Sequence, residues 1–351
     1  MADESGQAEY SPDVSSYLQR LYAVHHRQHA CRATTADEFR AWQAQARPAL
    51  CKLIALDRVA EQPAGFRPNV VLAEPEDLGE FTRQRGTIAT EVDVTVPFFL
   101  LKPKGEGPFP LAVAPHGHGR HGRYAGVYET DEERKTVEAK DGDVALQAVK
   151  HGFLAIAPAT RGIGCPGVPD VGDRHGGSPC RSQLMHCLLA GRTAIGERVW
   201  DMMRILDWAL ALPDVDAKRV LMIGNSGGGV VTTYAAACDE RVTVAVPSCS
   251  FTLFVRTSGR IHHCDCNLIP DILRFGDMYD VAGLIAPRHL LVVNGRKDGL
   301  FYNPDLDIAV DHLRRIYEVA GAKDRFTHRY GPDIHRFYSD LMWPWITETM
   351  A

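Results

Sequence analysis

Between Leu111 and Tyr330 the chain carries short apolar runs of five or six residues, separated by longer amphipathic stretches. The runs are Leu111–Pro115, Phe153–Pro158, Val220–Gly224, Val242–Pro247, Leu290–Asn294 and Phe326–Tyr330. Their length and near-continuous apolar character predict strands buried on both faces. The stretches Val144–His151, Ile195–Leu212, Gly227–Cys238, Asp305–Ala320 and Arg336–Glu348 predict helices between them. This alternation implies an α/β protein with a mostly parallel central sheet covered on both sides.

Upstream the pattern changes. The segment Gly86–Pro103, containing TIATEVDVTVPFFLLKP, is rich in β-formers with partial alternation and predicts an antiparallel strand pair at a sheet edge. Before it, Leu18, Leu21, Tyr22, Phe39, Trp42, Leu50, Leu53 and Ile54 recur at helical spacing. The expected organisation is an N-terminal helical extension over 1–60 and an α/β domain over 61–351, with a cap-like insertion at about 251–287. The extension either packs on the core or mediates self-association into a homo-oligomer. Two stretches look irregular, Arg161–Leu184 and Phe251–Pro287. Insertions of this kind in such a sheet usually shape pockets.

Composition narrows the function classes. A net charge of −5 with no long basic run argues against a nucleic-acid partner. No stretch approaches the roughly 18–20 apolar residues of a membrane helix. The start, MADESGQAEYSPD, lacks the basic and apolar regions of an export signal, so a cytoplasmic location is expected. The nine cysteines are then expected as reduced thiols, Cys165 and Cys180 included.

The chemistry centres on MIGNSGGGV, residues 222–230. Gly224-Asn225-Ser226-Gly227-Gly228 fits G-x-S-x-G, with an apolar run before it and a helix-capable run after. That context is a nucleophile elbow, a strained strand-to-helix turn that exposes a hydroxyl. A phosphate-cradling loop is excluded, because no lysine follows the glycines and G-x-G-x-x-G is not matched.

A serine hydroxyl needs a histidine base oriented by a carboxylate, in the chain order serine, acid, histidine. LLVVNGRKDGLF supplies Asp298 just after a strand, and FTHRYGPDIHRFY supplies His335 after the last one. Asp305 and Asp307 more readily start a helix, His328 falls within a strand, and Asp333 serves a turn. For an oxyanion, the Gly227 amide is one donor. The loop His116-Gly117-His118-Gly119 supplies the other, from the His118 amide with Gly117 as alternative. His116, Arg161 and Asn225 are candidate substrate contacts.

With these pieces in order, residues 40–350 resemble the α/β-hydrolase superfamily. Within it they are similar to the dienelactone hydrolase-like and acetyl xylan esterase-like bacterial serine hydrolases. The likeness rests on VPFFLLKP, PHGHG, TRGIG, ERVWDMMRILDWALALPDVDAKRVLMIGNSGGG, VNGRKD and IHRF. It implies a cofactor-independent carboxylic ester hydrolase with a short-acyl or acetylated sugar-type ester as small-molecule substrate. Dienelactone hydrolases proper carry a cysteine nucleophile where this chain has Ser226, which favours ester over lactone chemistry. Amide or lactone cleavage by the same triad, and a non-catalytic ligand-binding homologue, are the competing readings.

The run IHHCDCN, Ile261–Asn267, contains His262, His263, Cys264, Asp265 and Cys266. Zinc sites usually space cysteines as C-x₂₋₄-C and draw ligands from a second segment. Judged on that spacing, no metal is expected, and the run is assigned to a cap lining the substrate pocket. Trp200, Trp343 and Trp345 are expected in packing, and Asp201 as a surface or capping residue.

Overall fold

The computed structural model describes residues 16–17, 20–21, 27–163, 178–255 and 263–351. The strands are β1 (Val70–Leu72), β2 (Glu76–Asp77), β3 (Phe81–Glu91), β4 (Val94–Pro103), β5 (Phe109–Val113), β6 (Leu154–Pro158), β7 (Val215–Asn225), β8 (Val244–Ser248), β9 (His289–Gly295) and β10 (Phe326–Gly331). They form one sheet in the order β1-β3-β4-β6-β5-β7-β8-β9-β10, with β2 alongside β3. From β6 to β10 every pairing is parallel, whereas β1, β3 and β4 join antiparallel.

Strict alternation along the strands feeds two cores. Leu111, Val113, Val220, Met222, Leu290 and Val292 enter one apolar cluster. Ala112, Leu221, Ile223, Leu291 and Val293 enter the other, across the sheet. The first core is covered by α1 (Ala36–Leu53), α4 (Ala194–Ala209), α5 (Gly227–Cys238), α6 (Met278–Gly283) and α7 (Asn303–Val319). The second is covered by α2 (Val144–Lys150) and α8 (Ser339–Thr349), where Trp343 and Trp345 are buried. The remaining long helix, α3 (Pro179–Ala190), belongs to a small separate cluster discussed below.

Two expectations change. The β3–β4 pair is not the sheet edge, because β4 continues onto β6 and the short β1 covers β3. The stretch Arg161–Leu184 is not irregular throughout. From Pro179 it is helical, started by proline in the first turn and by the Ser178 hydroxyl, which accepts the Arg181 N–H. Residues 164–177 lie outside the described part, and with them Cys165. Of the N-terminal segment, the part from Phe39 on packs on the core, one of the two alternatives left open by the sequence. Phe39, Ala46, Leu50 and Ile54 are buried in the first cluster, and Arg47 donates to the carbonyls of Ala237 and Leu284. Among the described residues no helix is long and apolar enough to cross a membrane.

Candidate active site

Ser226 sits between the end of β7 and the start of α5, with φ 58° and ψ −124°. A non-glycine residue in this region is strained, and the surrounding contacts hold it there. Its N–H donates to the Ser248 carbonyl at the end of the neighbouring strand β8. The glycines answer to close approach rather than to flexibility. A Cβ on Gly228 would stand 2.0 Å from the Pro115 carbonyl oxygen, so α5 can begin against the end of β5 only without side chains. A Cβ on Gly117 would meet the Asn225 oxygen at 2.9 Å and the Gly227 nitrogen at 3.0 Å. The loop after β5 therefore lies directly on the elbow, where the Gly227 amide opens α5 and has no carbonyl one turn back to bond.

Asp298 follows β9 and His335 follows β10, in parallel neighbouring strands, so both reach the same end of the sheet as Ser226. His335 Nδ1 lies 2.6 Å from Asp298 Oδ2, and the Asp298 side chain is wholly buried while His335 is part exposed. The described hydrogen bonds join His335 to Asp298 and not to Ser226. Ser226 and His335 both line two adjoining cavities of about 390 and 400 Å³. His118 and Leu300 line both cavities as well, while Gly117 and Asn225 border only the first and Gly227 only the second.

The other candidates separate as expected. Asp305 and Asp307 lie in the first turns of α7, where Asp307 accepts from the Tyr330 hydroxyl. Asp333 is exposed, its carbonyl accepting the Lys297 N–H. His328 is half-buried in β10, and burial lowers its pKa to about 4.

The architecture now decides the fold. No family model matches the chain. The solved "putative acetyl xylan esterase" of Bacteroides fragilis superposes with a TM-score of 0.74 over 99% of this chain and 97% of that one, at 17% identity. The chain has the α/β-hydrolase fold. Among relatives by sequence, the Bacillus subtilis protein named "Putative hydrolase YtaP" is 29% identical over 234 residues, 65% of this chain and 74% of that one. Acetyl esterase Axe7A of Xylanibacter ruminicola is 28% identical over 161 residues, 42% of this chain and 31% of that protein.

Within this α/β-hydrolase fold, two of the candidate substrate contacts, His116 and Arg161, are tied to the protein itself by hydrogen bonds. His116 is buried, its Nε2 accepting the Thr160 N–H at 2.9 Å and its Nδ1–H donating to the Gly117 carbonyl at 2.6 Å. Burial pushes its pKa down to about 3, so the ring is neutral and both nitrogens are committed to holding the loop. Arg161 is likewise buried. It donates to both Asp201 oxygens at 3.0 and 2.5 Å and to Glu91 at 2.5 Å, with Glu197 at 3.6 Å. Asp201 is consequently neither a surface nor a capping residue, but 1% exposed inside α4. Asn225 remains at the cavity wall, its N–H donating to the Tyr124 hydroxyl.

The expectation of no metal rested on spacing within Ile261–Asn267. His262 lies outside the described residues, and His263 faces the Leu253 carbonyl at 3.3 Å. Cys264 and Cys266, however, converge with His118 and Cys180, which come from two other segments.

Proposed function

We propose that this protein is a carboxylic ester hydrolase that works by acyl transfer through Ser226, His335 and Asp298. The observation that carries the proposal is the Asp298–His335 pair opening on the cavity that the strained Ser226 elbow also lines. His335 Nε2 takes the Ser226 proton as the hydroxyl oxygen bonds to the ester carbonyl carbon. The amides of Gly227 and His118 hold the resulting oxyanion, and the alkoxide leaves with the proton from His335. Water, deprotonated by His335, then attacks the acyl-serine and releases the acid and the free hydroxyl. Asp298 fixes the proton on Nδ1 and stabilises the imidazolium.

The substrate proposed is a short-acyl ester, acetylated sugars included. The names of the Bacteroides and Xylanibacter relatives point the same way. Two cavities of about 400 Å³ meeting at Ser226 suit a small acyl group on one side and a compact alcohol on the other. Hydrolysis rates for p-nitrophenyl acetate, butyrate and octanoate, and for p-nitroacetanilide, test this. Acetate turned over fastest, with negligible anilide cleavage, is expected. Preference for octanoate, or equal cleavage of the anilide, would overturn the substrate assignment.

A further inference from the structure

Four metal-capable side chains meet at the wall of the cleft. His118 comes from the loop after β5, Cys180 from the first turn of α3, and Cys264 and Cys266 from the start and interior of the short turn at Asp265–Asn267, which Cys264 caps, in the insertion after β8. His118 Nε2 lies 3.2 Å from Cys180 Sγ and 3.4 Å from Cys264 Sγ, and the two thiols of Cys264 and Cys266 are 3.6 Å apart. All four donor atoms lie within 4.8 Å of one another. The cysteines are free, and these separations far exceed a disulfide bond of about 2.05 Å.

A tetrahedral ion with bonds of about 2.3 Å to sulfur and about 2.0–2.1 Å to nitrogen separates its sulfurs by about 3.8 Å and a sulfur from the nitrogen by about 3.6 Å. The observed contacts fall within about 0.4 Å of those values. Packing alone accounts for them less well. Cys187 belongs to the same small apolar cluster as Cys180 and Cys266, yet it stays outside the group. The three cysteines turn their sulfurs toward an imidazole and one another instead.

We propose that His118, Cys180, Cys264 and Cys266 bind one zinc ion. Three thiolates and one imidazole are a zinc donor set, and four protein ligands leave no open position, so the ion is structural. On binding, the three thiols release their protons to solvent and the imidazole coordinates through Nε2. The ion ties the insertion and α3 to the loop that carries the His118 amide. His118 and Cys264 also line the cavity beside Ser226, so the site supports the cleft wall without entering the reaction. The proposal stands apart from the esterase assignment, since it is read from bound metal and not from turnover.

The test is elemental analysis of the full chain, purified under reductant, for wild type, Cys180→Ser, Cys266→Ser and His263→Ala. The expected result is one zinc per chain in the wild type and in His263→Ala, with less than about a tenth in either serine variant. Should the serine variants fail to fold, cobalt(II) added to metal-stripped wild type decides, with intense visible bands of tetrahedral thiolate-bound cobalt expected. The proposal is overturned by reduced wild type that holds no zinc after incubation with zinc chloride, by a different metal in its place, by serine variants that keep zinc, or by cobalt spectra without thiolate bands.

Discussion

His335 Nδ1 lies 2.6 Å from the carboxylate of Asp298, a side chain with no solvent exposure on the strand-end next to its own. With Nδ1 on the carboxylate, Nε2 is the ring nitrogen left for the proposed proton transfer. Asp298→Asn keeps the shape of the site but favours the wrong tautomer. The expected effect is a fall in kcat of about 10⁴-fold with little change in KM or in melting temperature. Steady-state kinetics on p-nitrophenyl acetate check it, and near-wild-type kcat would remove Asp298 from the mechanism.

Gly117 touches the elbow where a side chain cannot fit. A methyl at this position meets backbone atoms of Asn225 and Gly227 and the Ser226 Cβ at 3.1 Å or less. In Gly117→Ala the loop must retreat and carry the His118 amide away from the proposed oxyanion position. Loss of one such donor corresponds to about 10²–10³-fold in kcat. Unchanged kcat in a folded variant would place the second donor elsewhere.

Arg161 separates a structural role from substrate binding. Its removal leaves Asp201 as a buried, uncompensated carboxylate, while Glu91 keeps Arg192 at 2.8 Å. Arg161→Met is expected to cost roughly 3–5 kcal/mol of stability, read from urea unfolding, while KM in the surviving folded fraction stays near wild type. A raised KM without loss of stability would return Arg161 to the substrate.

His116 makes stability depend on acid. Its pKa is about 3 in the folded protein against an ordinary 6.5, chiefly from burial, with the nearby Arg198 guanidinium also disfavouring protonation. The unfolded chain therefore binds the extra proton between these values. The stability from neutral His116 is full above pH 6.5 and is lost as pH falls toward 3, at up to about 1.4 kcal/mol per pH unit. Urea midpoints between pH 7 and pH 4 should show a slope smaller by about one proton in His116→Gln. Parallel slopes would contradict the assignment.

Much of this was legible in the chain. The strands were readable because both sheet faces are covered, so LAVAP, FLAIAP, VLMIG and LLVV are apolar throughout and stand out from the amphipathic helices. The placement of Ser226, Asp298 and His335 at one end of the sheet was readable because each follows a recognisable strand. The roles of Arg161 and Asp201 were not, since the ion pairs join residues 40 and 70 positions apart and spacing carries no trace of them. The His118–Cys180–Cys264–Cys266 group was hidden for the same reason. Its ligands come from three segments that only the packing of α3 and the insertion on the β5 loop brings together.

The central claim is that Ser226 is the nucleophile. Labelling with a fluorophosphonate, followed by peptide mass spectrometry, tests it most directly on wild type and Ser226→Ala. The account predicts one adduct on Ser226, absent in the variant, with esterase turnover falling by at least about 10³-fold. An adduct on another residue, or a folded Ser226→Ala that still hydrolyses p-nitrophenyl acetate at near-wild-type rate, would contradict it.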